Sequence, residues 1–246
     1  MAACIGNNFD LKTLAIICQL SEVETAASLW QALQEELILP ENQVYKFYIE
    51  LETQNRELED SQVVNYKFLH DRVQQAAYSL IPEKQRQTTH LKIGRLLWQN
   101  LSQSEVEKYL FTIVNHLNIG CDLISEQWER DCIARLDLRA SQKAKASVAY
   151  ETSRRYCYAG QLFLQETSWQ NNYSLRFALA IATIEAECLN HNLPVVQNLL
   201  RETLEKAQTM LARIKVHELQ ILFEINQNKM NEAISLALDV LIFLGI

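Results

Sequence analysis

Apolar residues recur at helical spacing along most of the chain. Leu11, Leu14, Ile17 and Cys18 fall on one face of a short helix over 10–20, with Asp10 as its candidate N-cap. Ser21-Glu-Val-Glu24 has the form of a capping box, in which serine and glutamate each satisfy a backbone N–H of the first turn. It opens a second helix with the stripe Ala26, Leu29, Trp30, Leu33 and Leu37, which Pro40 ends. Val44–Glu52 and Val63–Leu69 are rich in β-branched and aromatic residues and predict two short strands, with the polar stretch 53–62 as a hairpin loop. Asp71-Arg-Val-Gln74 reads as another capping box, heading a helix through Val73, Ala76, Ala77 and Leu80.

From Pro82, which suits the first position of a helix, everything reads as helical. Ile93, Leu96, Leu97 and Leu101 mark one buried face. Tyr109, Leu110, Ile113, Val114 and Leu117 mark the next, before Gly120, and Trp128, Cys132, Ile133 and Leu136 a third. Over 141–246 the pattern repeats: a helix ending at Gly160, then Ser174–Leu189, Pro194–Leu211, Ala212–Ile225 and Met230–Leu244. The turns His191-Asn192-Leu193 and Gln227-Asn228-Lys229 lie 36 residues apart, each between Ala/Leu-rich helices. A helix-pair period near 34 residues is the signature of a solenoid, and the pattern is tetratricopeptide-like. The expected fold is therefore mainly α. A small winged-helix-like α+β unit spans 1–81, its third helix placed after the hairpin. A helical connector spans 82–140, and a tetratricopeptide-like solenoid spans 141–246.

Composition supports this reading. Five glycines and three prolines amount to roughly 3% of the chain, where about 12% is usual. So few turn formers cannot build a sandwich, a barrel or a doubly wound sheet, and the glycines never cluster into a phosphate-binding loop. The formal charge of −7 lies wholly within residues 1–140, because 141–246 hold ten residues of each sign. That balance argues against nucleic acid or an anionic membrane as a partner. DNA binding by the first unit is disfavoured further: residues 13–45 contain Glu22, Glu24, Glu35, Glu36 and Glu41 but no Lys or Arg. Six cysteines, none in a C-x-x-C pair or spaced with histidine for a metal, read as small hydrophobes in a reducing cytosol. There is no signal-peptide pattern and no run long enough to span a membrane. The expected location is the cytoplasm. Both ends look cut: Met1-Ala-Ala-Cys-Ile-Gly reads like the last turn of a longer helix, and Phe243-Leu-Gly-Ile follows an apolar helix with nothing to cover it.

Catalytic signatures are missing. The five histidines are scattered, and there is no H-E-x-x-H and no G-x-S-x-G. No catalytic residue and no metal ligand is expected. Asn115 and His116 read as polar core residues and Arg154-Arg155 as a solvated face. Trp30, Trp98, Trp128 and Trp169 lie on apolar stripes and read as core.

Asn65-Tyr-Lys-Phe-Leu-His-Asp-Arg-Val-Gln-Gln-Ala-Ala-Tyr-Ser-Leu-Ile81 resembles the end of the winged-helix region of large bacterial signalling kinases. So do Ala2-Ala-Cys-Ile-Gly-Asn-Asn-Phe-Asp-Leu11, Ile113-Val-Asn-His-Leu117 and Leu138-Arg-Ala-Ser-Gln-Lys-Ala-Lys145. In that family a serine/threonine kinase precedes an AAA-type ATPase of the STAND class, then helical repeats, a GAF domain and often a histidine kinase. The resemblance covers nearly the whole chain and implies the end of the ATPase module plus the start of the repeats. Leu69-His70-Asp71 is similar to the Met-His-Asp motif of STAND winged helices. That implies a contact from His70 to the β-phosphate of ADP, with Asp71 capping the turn, in an intact parent protein only.

The chain itself contains no G-x-x-x-x-G-K-[ST], no kinase catalytic loop and no histidine-kinase ATP site. The resemblance therefore implies a non-catalytic regulatory segment without a cofactor of its own, ATP or ADP belonging to the parent. Its expected partners are the upstream ATPase and kinase domains, or their separate gene product, and a protein on the repeats. The alternative is a free-standing adaptor that binds a peptide or domain in a concave groove.

Overall fold

The structure, a computed structural model, describes residues 1–41 and 63–245. The strand expected over 44–52 and the loop over 53–62 lie outside the described residues. The described residues are mainly helical with one small sheet, and the chain packs as two units, Met1–Leu123 and Ile124–Ile246. The boundaries read from the sequence, after 81 and after 140, describe a different division.

The first unit runs α1 (Ala2–Ile5), β1 (Asn8–Asp10), α2 (Leu11–Cys18), α3 (Glu22–Gln34), β2 (Ile38–Pro40), β3 (Asn65–Phe68), α4 (Asp71–Ser79), α5 (Glu83–Asn100), α6 (Gln103–Lys108) and α7 (Leu110–Ile119). Asp10 caps α2 as expected, accepting from Thr13 N at 2.8 Å and Thr13 Oγ1 at 2.7 Å. The Ser21–Glu24 capping box is present. The sheet is antiparallel in the order β1-β3-β2, with Phe9 opposite Tyr66 and Ile38 opposite Phe68. Phe9, Leu11, Leu14, Ile38, Val64, Tyr66 and Phe68 close its core. Each such side chain contributes roughly 1.5–3 kcal/mol by leaving water.

Several expectations need correcting. The second helix does not run to Pro40. It stops at Gln34, and Glu36 turns the chain through a left-handed φ of 54°. Ile38 thereby enters the sheet and is buried, while Leu37 stays exposed. Pro40 is tolerated because β2 is an edge strand among the described residues. No capping box heads α4: His70 holds the cap position in extended conformation without a side-chain bond, and Asp71 is the first helical residue. Leu80 is exposed, as are Trp30 and Trp128, and Trp98 is half-buried, so of the four tryptophans only Trp169 is buried. Asn115 is exposed too.

α5 and α7 pack against each other through glycine. A Cβ on Gly94 would lie 2.8 Å from Leu117 Cγ, and one on Gly120, just past α7, 2.7 Å from Leu91 Cβ. The two contacts are reciprocal, a glycine of each segment under a leucine of the other.

The second unit comprises α8 (Gln127–Ala146), α9 (Tyr150–Leu162), α10 (Ser168–Asn171), α11 (Tyr173–Leu189), α12 (Leu193–Lys206), α13 (Met210–Asn226) and α14 (Met230–Leu244). Six of these form three hairpins closed by one turn geometry. Val148, His191 and Asn228 have φ of 62°, 57° and 60°. Each donates its N–H to the carbonyl three residues back, and the following residue donates to the carbonyl five residues before it (Ala149 to Ala144, Asn192 to Glu187, Lys229 to Glu224). This is the Schellman closure of a helix. The helix expected over 194–211 ends at Lys206, because Thr209 caps α13 through Ala212 N at 3.1 Å.

Two stability measurements follow from these contacts. Gly94→Ala should gain about 1 kcal/mol of helix propensity, yet its methyl collides with Leu117. The expected net is a loss of about 1–3 kcal/mol in chemical denaturation, and an unchanged midpoint would show that α5 and α7 separate freely. Val148 is exposed, and a β-branched residue is costly at positive φ. Val148→Gly should therefore raise stability by about 1 kcal/mol, and a lowered midpoint would contradict the turn assignment.

Candidate functional site

The turn Leu69-His70-Asp71 joins β3 to α4. Leu69 N donates to Leu37 O at 3.0 Å, which ties the turn to β2, and Val73 N donates to His70 O at 2.9 Å, which starts the helix. The side chains of both expected site residues, His70 and Asp71, are exposed. The imidazole can reach a phosphate brought to the turn. The carboxylate of Asp71 beside it repels one, so the turn by itself is no anion cradle.

α4 is anchored at three points. Gln74 Nε2 donates to Ala3 O of α1 at 2.6 Å. The Arg86 guanidinium lies over the Tyr78 ring, 5.2 Å from its centre. Tyr78 Oη shares a hydrogen with His90 Nε2 at 2.9 Å. His90 Nδ1 in turn lies 2.7 Å from His116 Nδ1, and both imidazoles are buried. A contact this short needs one N–H and one lone pair, so the two rings cannot both carry a proton there. Burial, with the neighbouring His90 as the smaller cause, pushes His116 down to about 4, and burial lowers His90 as well.

The sequence showed these histidines as scattered; the fold brings two of them together. A signal was present. His90 and Gly94 are four residues apart, as are His116 and Gly120, so each histidine lies one turn before the glycine that lets the helices meet. Among the described residues no three of His, Cys, Asp or Glu gather as a metal site.

In the second unit the first helix of each hairpin, α8, α11 and α13, lines one cavity of about 440 Å³. Ala178, Ile181 and Ala182 of α11 border it together with Phe177. Lys145 of α8, paired with Glu185 at 2.6 Å, and Lys215 of α13, paired with Glu218 at 3.0 Å, supply charge at its sides. Small apolar residues flanked by charged ones can take an amphipathic segment. Arg154 is more than part of a solvated face: its Nη1 lies 3.9 Å from Oε2 of the buried Glu187. Glu187 Oε1 also accepts from Tyr158 Oη at 2.5 Å. Burial first, then this hydrogen bond and the carboxylate charge, push the Tyr158 phenol up to about 12.

No family model and no solved structure matches the chain. Over 272 residues the chain is 25% identical to "Hybrid signal transduction histidine kinase G" of Dictyostelium discoideum. The alignment takes in 91% of this chain but 8% of that protein, so the chain spans a small part of its relative. No helix among the described residues is long and apolar enough to cross a membrane.

The histidine pair sets a pH dependence. The folded-state value for His116, about 4, lies below the ordinary 6.5. The unfolded chain therefore takes up a proton first as pH falls. The stability contributed by the neutral pair is complete above about pH 6.5 and drains towards pH 4, by up to about 3 kcal/mol. The readout is amide hydrogen exchange of α5 and α7 at pH 7 and pH 4.5, compared between the natural chain and His90→Leu/His116→Leu. The variant should lose less protection than the natural chain. Equal losses would mean that the pair does not titrate with folding.

Proposed function

We propose that the chain is a non-catalytic regulatory segment of a multidomain, cytoplasmic signalling kinase. Its winged-helix-like unit faces an AAA/STAND ATPase module, and its tetratricopeptide-like array receives a protein partner. The observation that carries the reading is the likeness to a hybrid histidine kinase along 91% of the chain. The serine/threonine kinase and STAND parts of the reading rest on the resemblance carried by residues 65–81. The sequence holds no phosphate loop or kinase loop of its own, which fits a segment that regulates chemistry done elsewhere. Three hairpins closed alike, with their first helices lining a cavity, support the repeat array.

In this reading ATP or ADP sits in the neighbouring module and His70 touches its phosphate. α4 begins just after His70 and carries Tyr78 near its other end, so pulling on the turn loads the Tyr78–His90 bond. Nucleotide state and groove occupancy then bias one docking equilibrium between this unit and the ATPase module. Nucleic acid and membrane are not partners. The groove alone favours a second reading, a free-standing adaptor whose partner binds no nucleotide.

The test is recovery of the tagged chain from its own host. It should bring down an ATP-binding signalling component carrying ADP. His70→Ala should keep that complex and lose most of the ADP, and Ala182→Glu should weaken the hold of a partner on the groove at least tenfold. A chain that emerges with no ATP-binding component, or a His70→Ala complex that keeps its full ADP, would overturn the reading.

A further inference from the structure

Met230, Ile234, Leu238 and Ile242 recur every four residues along α14 and are 55%, 57%, 54% and 72% exposed. Such a row has to be judged against its sibling. His191 and Asn228 hold the same left-handed position in their turns, so a shift of 37 residues carries α12 onto α14. In α12, Val196 and Leu200 are buried in the core shared with Val216, Leu219 and Phe223 of α13. Their counterparts in α14 are Ala233 and Ala237. The counterparts of the exposed row are Leu193, Gln197, Arg201 and Glu205, all exposed and three of them polar or charged.

Ala233 is already buried and Ala237 partly so, and a further hairpin stacked on α14 as α13 stacks on α12 would lie on that same face. It would leave the row in water, where α12 is polar and α14 is not. The row needs a different occupant.

We propose that this occupant is a second copy of the chain, pairing α14 with α14 antiparallel about a two-fold axis. The spacing suits such an axis. With the axis near Leu236, Ile234 meets Leu238 of the second copy and Met230 meets its Ile242, so the row is its own complement. Ridges of four-residue spacing pack on one another at about −50°. The row carries no charge, and residues 141–246 are formally neutral, so like copies do not repel there. The exposed apolar surface is on the order of several hundred Å². That is less than the ~800 Å² per partner of a standard interface, so the dimer is a micromolar one.

Sedimentation equilibrium of the full chain from about 1 to about 200 µM tests this. The natural chain should pass from monomer to dimer. Ile234→Lys and Leu238→Glu should each weaken association at least a hundredfold while keeping the helical circular dichroism. An equimolar mixture of the two variants should dimerise again, because the cation introduced by Ile234→Lys in one chain then faces the carboxylate introduced by Leu238→Glu in the other. A natural chain that stays monomeric throughout would overturn the proposal and leave the row to another protein. Dimers that survive either substitution, or variants that do not rescue each other, would overturn it as well.

Discussion

Two helices approach only as closely as the atoms between them allow, and in this chain glycine sets that limit. Gly94 and Gly120 stand where any side chain would strike the facing helix, and a Cβ on Gly160 would be only a little freer, 3.0 Å from Leu179 Cδ2 and 3.1 Å from Asp137 Cβ. With so few glycines, the left-handed helix ends fall to other residues everywhere but at Gly245, which closes α14 with a φ of 76°. Gln19, Glu36, Val148, His191 and Asn228 all adopt positive φ, and all five close a helix with the same pair of backbone bonds. A residue that lacks a Cβ is irreplaceable at a helix crossing, whereas a helix end tolerates one at a cost of about 1–2 kcal/mol. The distribution follows that asymmetry.

The close crossing of α5 and α7 also creates a polar chain that links three helices. Tyr78, His90 and His116 come from α4, α5 and α7, and their bonds form only because the backbones lie near enough. Glu105 holds α6 to α2 in a comparable way. Its carboxylate accepts from Lys12 at 2.6 Å, from Ser102 Oγ at 2.7 Å and from Ser102 N at 3.0 Å, and these bonds, that from Lys12 foremost, lower its pKa to about 2.

Helices with long apolar stripes were legible in the sequence, and so were the caps at Asp10 and Ser21. β1 and β2 were not, because three residues show no alternation, and Ile38 reads as the tail of a helix until its partner Phe68 is known. Trp30 and Trp128 keep helical spacing yet face water: periodicity identifies a face, and the packing of neighbours decides how wide the buried part is. The turn at His70 was placed correctly between strand and helix, but the cap attributed to Asp71 fell one position too late. The histidine pair lies 26 residues apart in sequence, and its one local sign was the glycine four residues after each histidine, which is too short a pattern to show that the two helices cross. The cavity along α8, α11 and α13 depended on the first hairpin, whose sequence gave no matching turn.

That first hairpin is out of step by length alone. Val148 precedes His191 by 43 residues, His191 precedes Asn228 by 37, and the hairpin turns themselves are alike. The surplus sits between hairpins, in the connection from Phe163 to Asn172 that includes α10, where Phe163 and Trp169 are buried. The connection between two hairpins can thus lengthen without altering either hairpin. A search for one fixed period would undercount the hairpins, while the left-handed residue that ends each first helix counts them correctly.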